Sequence, residues 1–128
     1  MSIDLRYEER AGYLIVAACG QWTEMAVKQA IEDLRDEANK RDFIRIFLDL
    51  RELLPPADEM TRFLTGEHVA KIWRPPFKVA AIARRERINK FTENVAVNRG
   101  ATLAVFSEEA AALEWLLEGS NNEMEPTK

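Results

Sequence analysis

Four short apolar runs, YLIVAAC (13–19), FIRIFLDL (43–50), FKVAAIA (77–83) and TLAVF (102–106), alternate with longer segments of helical character. That alternation is the strongest constraint on the fold. Continuous apolar runs of this length read as strands buried on both faces, and a helix between consecutive strands makes them parallel. The N-terminal IDLRYE (3–8) alternates instead, with Ile3, Leu5 and Tyr7 on one face, the pattern of a half-buried edge strand. A turn at Arg10-Ala11-Gly12 joins it to the first apolar run as a β-hairpin. The expected architecture is one α/β domain over 1–119. It has a mixed five-stranded sheet and four helices in the order ββαβαβαβα, and a flexible polar tail follows over 120–128.

The helices carry their own signals. Val27, Ala30, Ile31, Leu34 and Ala38 mark one apolar stripe over about 24–40, with Thr23 as cap. A second helix is expected over about 57–73, capped by Asp58 and closed by Pro75-Pro76. A third is expected over about 85–98, from Ile88, Phe91 and Val95, with Gly100 as its stop. The fourth follows Ser107 and ends at Gly119.

At 128 residues, 47% hydrophobic and 31% charged, the chain suits a single soluble domain. One cysteine, Cys19, excludes an internal disulfide and fits a reducing compartment. No stretch has the length of a signal peptide or a membrane span, so the expected location is the cytoplasm. The net charge of −4 argues against nucleic acid, yet residues 71–99 hold eight basic residues against two acidic ones. The sequence has no phosphate-cradling glycine loop, no metal-spaced Cys/His cluster and no nucleophile elbow. Its one histidine, His68, lacks a motif partner, so no metal, cofactor or catalytic residue is expected.

Three stretches, DLRELLPPADEMTRFLTGE (49–67), RPPFKVAAIA (74–83) and ENVAVNRGATLAVF…EEAAALEWL (93–116), cover most of the chain in order. Together they resemble the SpoIIAA-like STAS domain family, in the bacterial branch related to CRAL-TRIO lipid-binding domains. The CRAL-TRIO side of the resemblance implies binding of a hydrophobic small molecule or lipid, peripheral to the inner membrane. The STAS side implies a regulatory protein partner, in the manner of an anti-sigma-factor antagonist. STAS antagonists place a phosphorylatable Ser or Thr at the start of the helix after this strand. This chain reads Leu53-Leu54-Pro55-Pro56-Ala57-Asp58 there, and no hydroxyl occurs between Thr23 and Thr61.

The second helix carries more bulk than one core-facing stripe requires, with Gly66 at its middle, where glycine costs ~1 kcal/mol relative to alanine. Met60, Phe63, Leu64, Gly66, Val69, Ile72 and Trp73 are therefore the expected ligand or membrane contacts, on a mobile cover hinged at Thr65-Gly66. Close packing of Gly66, with Trp73 buried under the Pro75-Pro76 turn, explains the same residues without a hinge. Lys71, Arg74, Arg84, Arg85, Arg87 and Lys90 are the expected contacts to an anionic membrane surface. Asp49, Glu52 and Arg99 form an expected polar cluster at the strand ends, Asp49 accepting from backbone amides. Trp115, off the main stripe of the last helix, covers the tail or makes a homodimer contact.

Overall fold

The computed structural model describes residues 3–56 and 58–123. Strands β1 (Asp4–Arg10), β2 (Tyr13–Gln21), β3 (Arg45–Leu54), β4 (Lys78–Ile82) and β5 (Thr102–Phe106) form one sheet in chain order. β1 runs antiparallel to β2, and the remaining pairs are parallel. The helices are α1 (Glu24–Lys40), α2 (Glu59–Ile72), α3 (Phe91–Asn98) and α4 (Glu109–Glu123). Each crossover from β2 to β5 moves one strand over in the same direction. Right-handed connections therefore stack α1, α2 and α3 on one face. α4 has no strand to return to and folds under the other face, against β3 and β4.

The pleat divides the apolar residues between the two layers. Leu14, Val16, Ile46, Leu48, Val79 and Ala81 face α1 and α2, where Ile31, Leu34, Val69 and Trp73 cover them. Phe47, Ala80 and Ile82 point the other way and are sealed by Ala112 and Leu116 of α4. Two caps form as the sequence indicates: Thr23 Oγ1 accepts from the Ala26 amide at 3.2 Å, and Asp58 Oδ1 from the Thr61 amide at 2.9 Å.

Three boundaries differ from the sequence reading. β3 does not stop at Leu50 but continues through the charged Arg51-Glu52 to Leu54, held by β2 after a register shift between Ala17 and Cys19. The third helix begins six residues late. Arg85–Arg87 form a separate 3-10 turn, Ile88 is extended, and the Asn89 carboxamide accepts from the Phe91 amide at 2.9 Å to start α3. α4 passes through Gly119 to Glu123, so the proposed tail at 120–123 is helical, and 124–128 lie outside the described residues.

α2 is one unbroken helix, so the expected hinge at Thr65-Gly66 is not formed. Gly66 is instead where α2 and α3 touch: a Cβ there would sit 2.7 Å from Val95 Cβ and 2.9 Å from the Thr92 carbonyl oxygen. Glycine in this helix serves closeness, not bending.

Candidate functional site

Because β2 to β5 are parallel, their C-terminal ends lie on one edge of the sheet, and the helices that follow all start there. In α/β sheets that edge is the usual place for recognition. Of the six large apolar side chains exposed among the described residues, four stand on it. Met25 is in the first turn of α1, Leu54 ends β3, Met60 is in the first turn of α2, and Phe91 opens α3. Leu54 is 50% and Met60 62% exposed. Phe63 extends this surface along α2, its ring stacked on Phe91 at 6.4 Å with the Arg99 guanidinium over it at 5.3 Å.

The polar groups of the edge are mostly spent on the fold. β3 outruns β4, whose pairing ends at Asp49–Ile82, so the carbonyls of Arg51 and Leu53 lack strand partners on that side. Side chains supply them: Arg84 Nε donates to the Arg51 carbonyl at 2.9 Å, and Arg87 to that of Leu53 at 3.2 Å. Lys90 reaches the Val105 carbonyl at 3.4 Å. Unpaired backbone acceptors near the interior are costly, which is reason enough for basic residues at these positions.

Asp49 accepts from Arg51 three times, at 3.0 Å from its amide, 3.0 Å from Nε and 2.9 Å from Nη2. The same Nη2 lies 2.9 Å from Glu109 in the first turn of α4. Arg51 thus clamps the end of β3 to the helix beneath. Its guanidinium holds the Asp49 carboxyl below the usual carboxylate range, against the opposing effect of partial burial, and the Arg51 pKa is raised in turn. A depressed folded-state pKa stabilises above the unfolded value and is lost as pH falls through the folded one. Asp49→Asn is therefore expected to cost about 1 kcal/mol near neutral pH, since both partners are partly exposed. Urea denaturation should show that difference shrinking as pH falls below the ordinary value of 3.8.

The remaining expected groupings are redistributed. Glu52 pairs with Arg84 at 3.4 Å, while Arg99 pairs with Glu67 of α2 at 3.5 Å, so Arg99 does not join Asp49 and Glu52. The six basic residues assigned to a membrane do not share a face. Arg84, Arg85, Arg87 and Lys90 lie at the C-terminal edge. Lys71 and Arg74 lie at the far end of the 14-residue α2, about 20 Å away. There they line a shallow groove with Lys28, His68 and Arg99. Trp115 is engaged within the lower layer. It packs on Phe106 at 5.8 Å, and the Lys78 ammonium sits 4.5 Å over its ring, while the end of the tail that it was expected to cover lies outside the described residues.

Between the sheet and α1–α2 lies a hollow of about 130 Å³. Ile3, Leu5, Trp22, Ile31, Leu50, Val69 and Trp73 are among its walls; its polar wall residues are Thr65 in mid-α2 and Arg62, Arg87, Asn89, Thr92 and Glu93 near the starts of α2 and α3. Of the seven contacts expected on α2, Val69 and Trp73 line it; Met60, Phe63, Leu64, Gly66 and Ile72 do not. An apolar hollow behind this helix was expected from its excess of bulky residues, but most of its walls come from α1 and the sheet.

No protein-family model and no curated protein matches the sequence. Solved structures do match in shape. A DUF3478-family protein with a SpoIIAA-like fold from Shewanella loihica PV-4 shares 20% identity at a TM-score of 0.55, over 90% of this chain and 94% of that one. The fold is SpoIIAA-like. An anti-sigma factor antagonist from Mycobacterium paratuberculosis has a TM-score of 0.61 at 15% identity, covering 90% and 94% of the two chains. The anti-sigma factor antagonist SpoIIAA in its unphosphorylated form has a TM-score of 0.51 at 9% identity, covering 91% and 97%. At these identities the likeness carries the fold, and the SpoIIAA-like domain's own side chains must carry the rest. Among its described residues no group of His, Cys, Asp or Glu is arranged to hold a metal, and no helix is long and apolar enough to cross a membrane.

Proposed function

We propose that this SpoIIAA-like domain is a non-catalytic regulatory module that docks a partner protein through the C-terminal edge of its sheet. The observation that carries the reading is the gathering of Met25, Leu54, Met60 and Phe91 on that edge. Single exposed apolar residues are ordinary, but three at the starts of successive helices and a fourth at the end of β3 form a built surface. The anti-sigma factor antagonists among its structural neighbours support a protein partner. Docking here runs without a phosphorylation switch at the start of α2. That position is Asp58, a fixed charge capping the helix, and the first buried hydroxyl beyond it, Thr65, is already committed. Thr65 Oγ1 donates to the Thr61 carbonyl at 2.7 Å and accepts from Trp22 Nε1 at 2.9 Å.

The geometry favours a protein over a lipid or an anionic membrane. Glu24, Glu52, Asp58, Glu59, Glu108 and Glu109 stand on the same edge as the basic turn, so it offers an anionic bilayer no net attraction. An unbroken α2 is not a hinged cover, and the hollow behind it is too small for the acyl chain of a membrane lipid.

A photo-crosslinking amino acid at position 60 is expected to trap one protein in cells of the source organism. The same label at Glu114, on the exposed side of α4, should trap none. Leu54→Asp should abolish the product while leaving the folding midpoint within about 0.5 kcal/mol of the parent, as for an exposed site. Equal trapping from both labels would overturn the proposal, and so would a product indifferent to Leu54→Asp. Sedimentation with anionic vesicles that Met60→Asp abolishes would transfer the edge to the membrane reading.

A further inference from the structure

β1 ends the sheet, and among the described residues no strand pairs with its outer side. A strand of seven residues without proline or glycine, paired to its neighbour in unbroken register, is a template for another strand unless its side chains prevent it. Asp4, Arg6, Glu8 and Arg10 share one face of β1, all exposed, and their charges alternate in sign. Their cross-strand neighbours on β2 are Cys19, Ala17, Ile15 and Tyr13, so the sheet itself offers them no ion pair. Arg10 pairs with Glu8 of its own strand, while the side chains of Asp4 and Arg6 have no partner among the described residues.

The hairpin fixes which backbone groups of β1 are free. A two-residue turn, Ala11-Gly12, makes Arg10–Tyr13 the hydrogen-bonded pair that closes it. Alternation along the ladder then turns the amides and carbonyls of Asp4, Arg6, Glu8 and Arg10 toward β2, and those of Leu5, Tyr7 and Glu9 outward. An identical strand laid antiparallel, with Tyr7 opposite Tyr7, bonds through those outward groups. In that register Arg6 meets Glu8 and Asp4 meets Arg10, each pair twice by symmetry. They fall between the hydrogen-bonded pairs, where facing side chains stand closest. A slip of two residues one way puts Arg6 on Arg6 and Asp4 on Glu8; the other way puts Glu8 on Glu8 and Arg6 on Arg10. Parallel pairing in register sets every charge against its like. The alternation therefore admits one full register and opposes the others.

We propose that the free edge of β1 pairs with the same edge of a second copy of this chain, joining two five-stranded sheets across a two-fold axis at Tyr7. The two-fold uses up the β1 edge of both copies, so the assembly closes as a dimer. Seven residues make a small interface, and the dimer is expected at sub-millimolar rather than nanomolar concentration. It lies along the flank of the sheet, away from the strand ends, and stands whether or not those ends dock another protein.

Sedimentation equilibrium of the full chain should show a monomer–dimer equilibrium that weakens as salt is added. Arg6→Glu and Glu8→Arg each replace two opposite-charge pairs by two like ones and should weaken the dimer about tenfold or more. Both positions are exposed, so the fold is expected to tolerate either change. The double variant R6E/E8R restores opposite signs and should dimerise within about threefold of the parent. An equimolar mixture of the two single variants should form a heterodimer that neither forms alone, since each carries at positions 6 and 8 the sign the other lacks. Amide exchange at Leu5, Tyr7 and Glu9 should slow as concentration rises, while that at Arg6 and Glu8, bonded to β2, should not change. The proposal is overturned by a parent that stays monomeric at millimolar concentration, by single variants that dimerise like the parent, by a mixture that stays monomeric, or by exchange at Leu5, Tyr7 and Glu9 that ignores concentration.

Discussion

Gly66→Leu is expected to destabilise the protein by about 3 kcal/mol or more, lowering the calorimetric Tm by roughly 10 °C. In an exposed helix the change would gain ~1 kcal/mol, because glycine is the poorest ordinary helix former. Here two contacts reverse the sign. The added Cβ would lie 2.7 Å from Val95 Cβ and 2.9 Å from the Thr92 carbonyl oxygen. Val95 is buried and Thr92 offers backbone, so neither can swing aside as a flexible side chain would. α2 and α3 must part, and the Phe63–Phe91 stack and the Thr92–Arg62 hydrogen bond across the same seam part with them. Gly66→Ala separates this account from a hinge. A hinge glycine would tolerate alanine and gain stability, whereas a contact glycine should lose about 1 kcal/mol net. A raised Tm in Gly66→Ala would refute the close approach.

The same residue shows how far the sequence could be read. Its cost in mid-helix was visible, but whether that cost served bending or contact depended on a residue 29 positions away. The alternation of apolar runs with helical stripes was legible because burial on two faces leaves no position for charge, and β5 emerges with the bounds its TLAVF pattern indicates. β3 was cut short for the same reason. Arg51 and Glu52 look like the end of a strand until β2 is found pairing with them and Glu109 answering Arg51. The third helix was started early because Ile88 keeps step with Phe91 and Val95, while its backbone is extended. Periodicity records the direction of a side chain and says little about the backbone between.

The site was less legible than the fold. Exposure of Met25, Leu54, Met60 and Phe91 at one edge follows from parallel strands side by side, and no local pattern marks it. Arg84 and Arg87 look like part of a basic run, yet each answers a carbonyl that β4 is too short to reach. A hollow has no residues of its own. It exists where the side chains of α1, α2 and the sheet fall short of one another, which depends on the spacing of whole elements.

Trp73→Ala should have the other large effect, a loss of about 3–5 kcal/mol in denaturant unfolding. Trp73 is 4% exposed, packs on Phe77 with ring centroids 6.2 Å apart, and donates Nε1–H to the Ile31 carbonyl at 3.0 Å. It closes α2 onto α1 and forms one wall of the hollow, so truncation enlarges an existing void that the surroundings have not collapsed to fill. Trp73→Phe keeps most of the packing and removes the donor; it should cost only about 1 kcal/mol for the lost hydrogen bond, because the Ile31 carbonyl lies inside α1 and keeps its helical partner. The contrast with Met60→Asp is the informative part. Both residues belong to the amphipathic excess of α2, yet the exposed one should be nearly silent in unfolding and the buried one severe. If Trp73→Ala unfolds near the parent's midpoint, α2 does not seal the hollow, and a cover that opens there regains its standing.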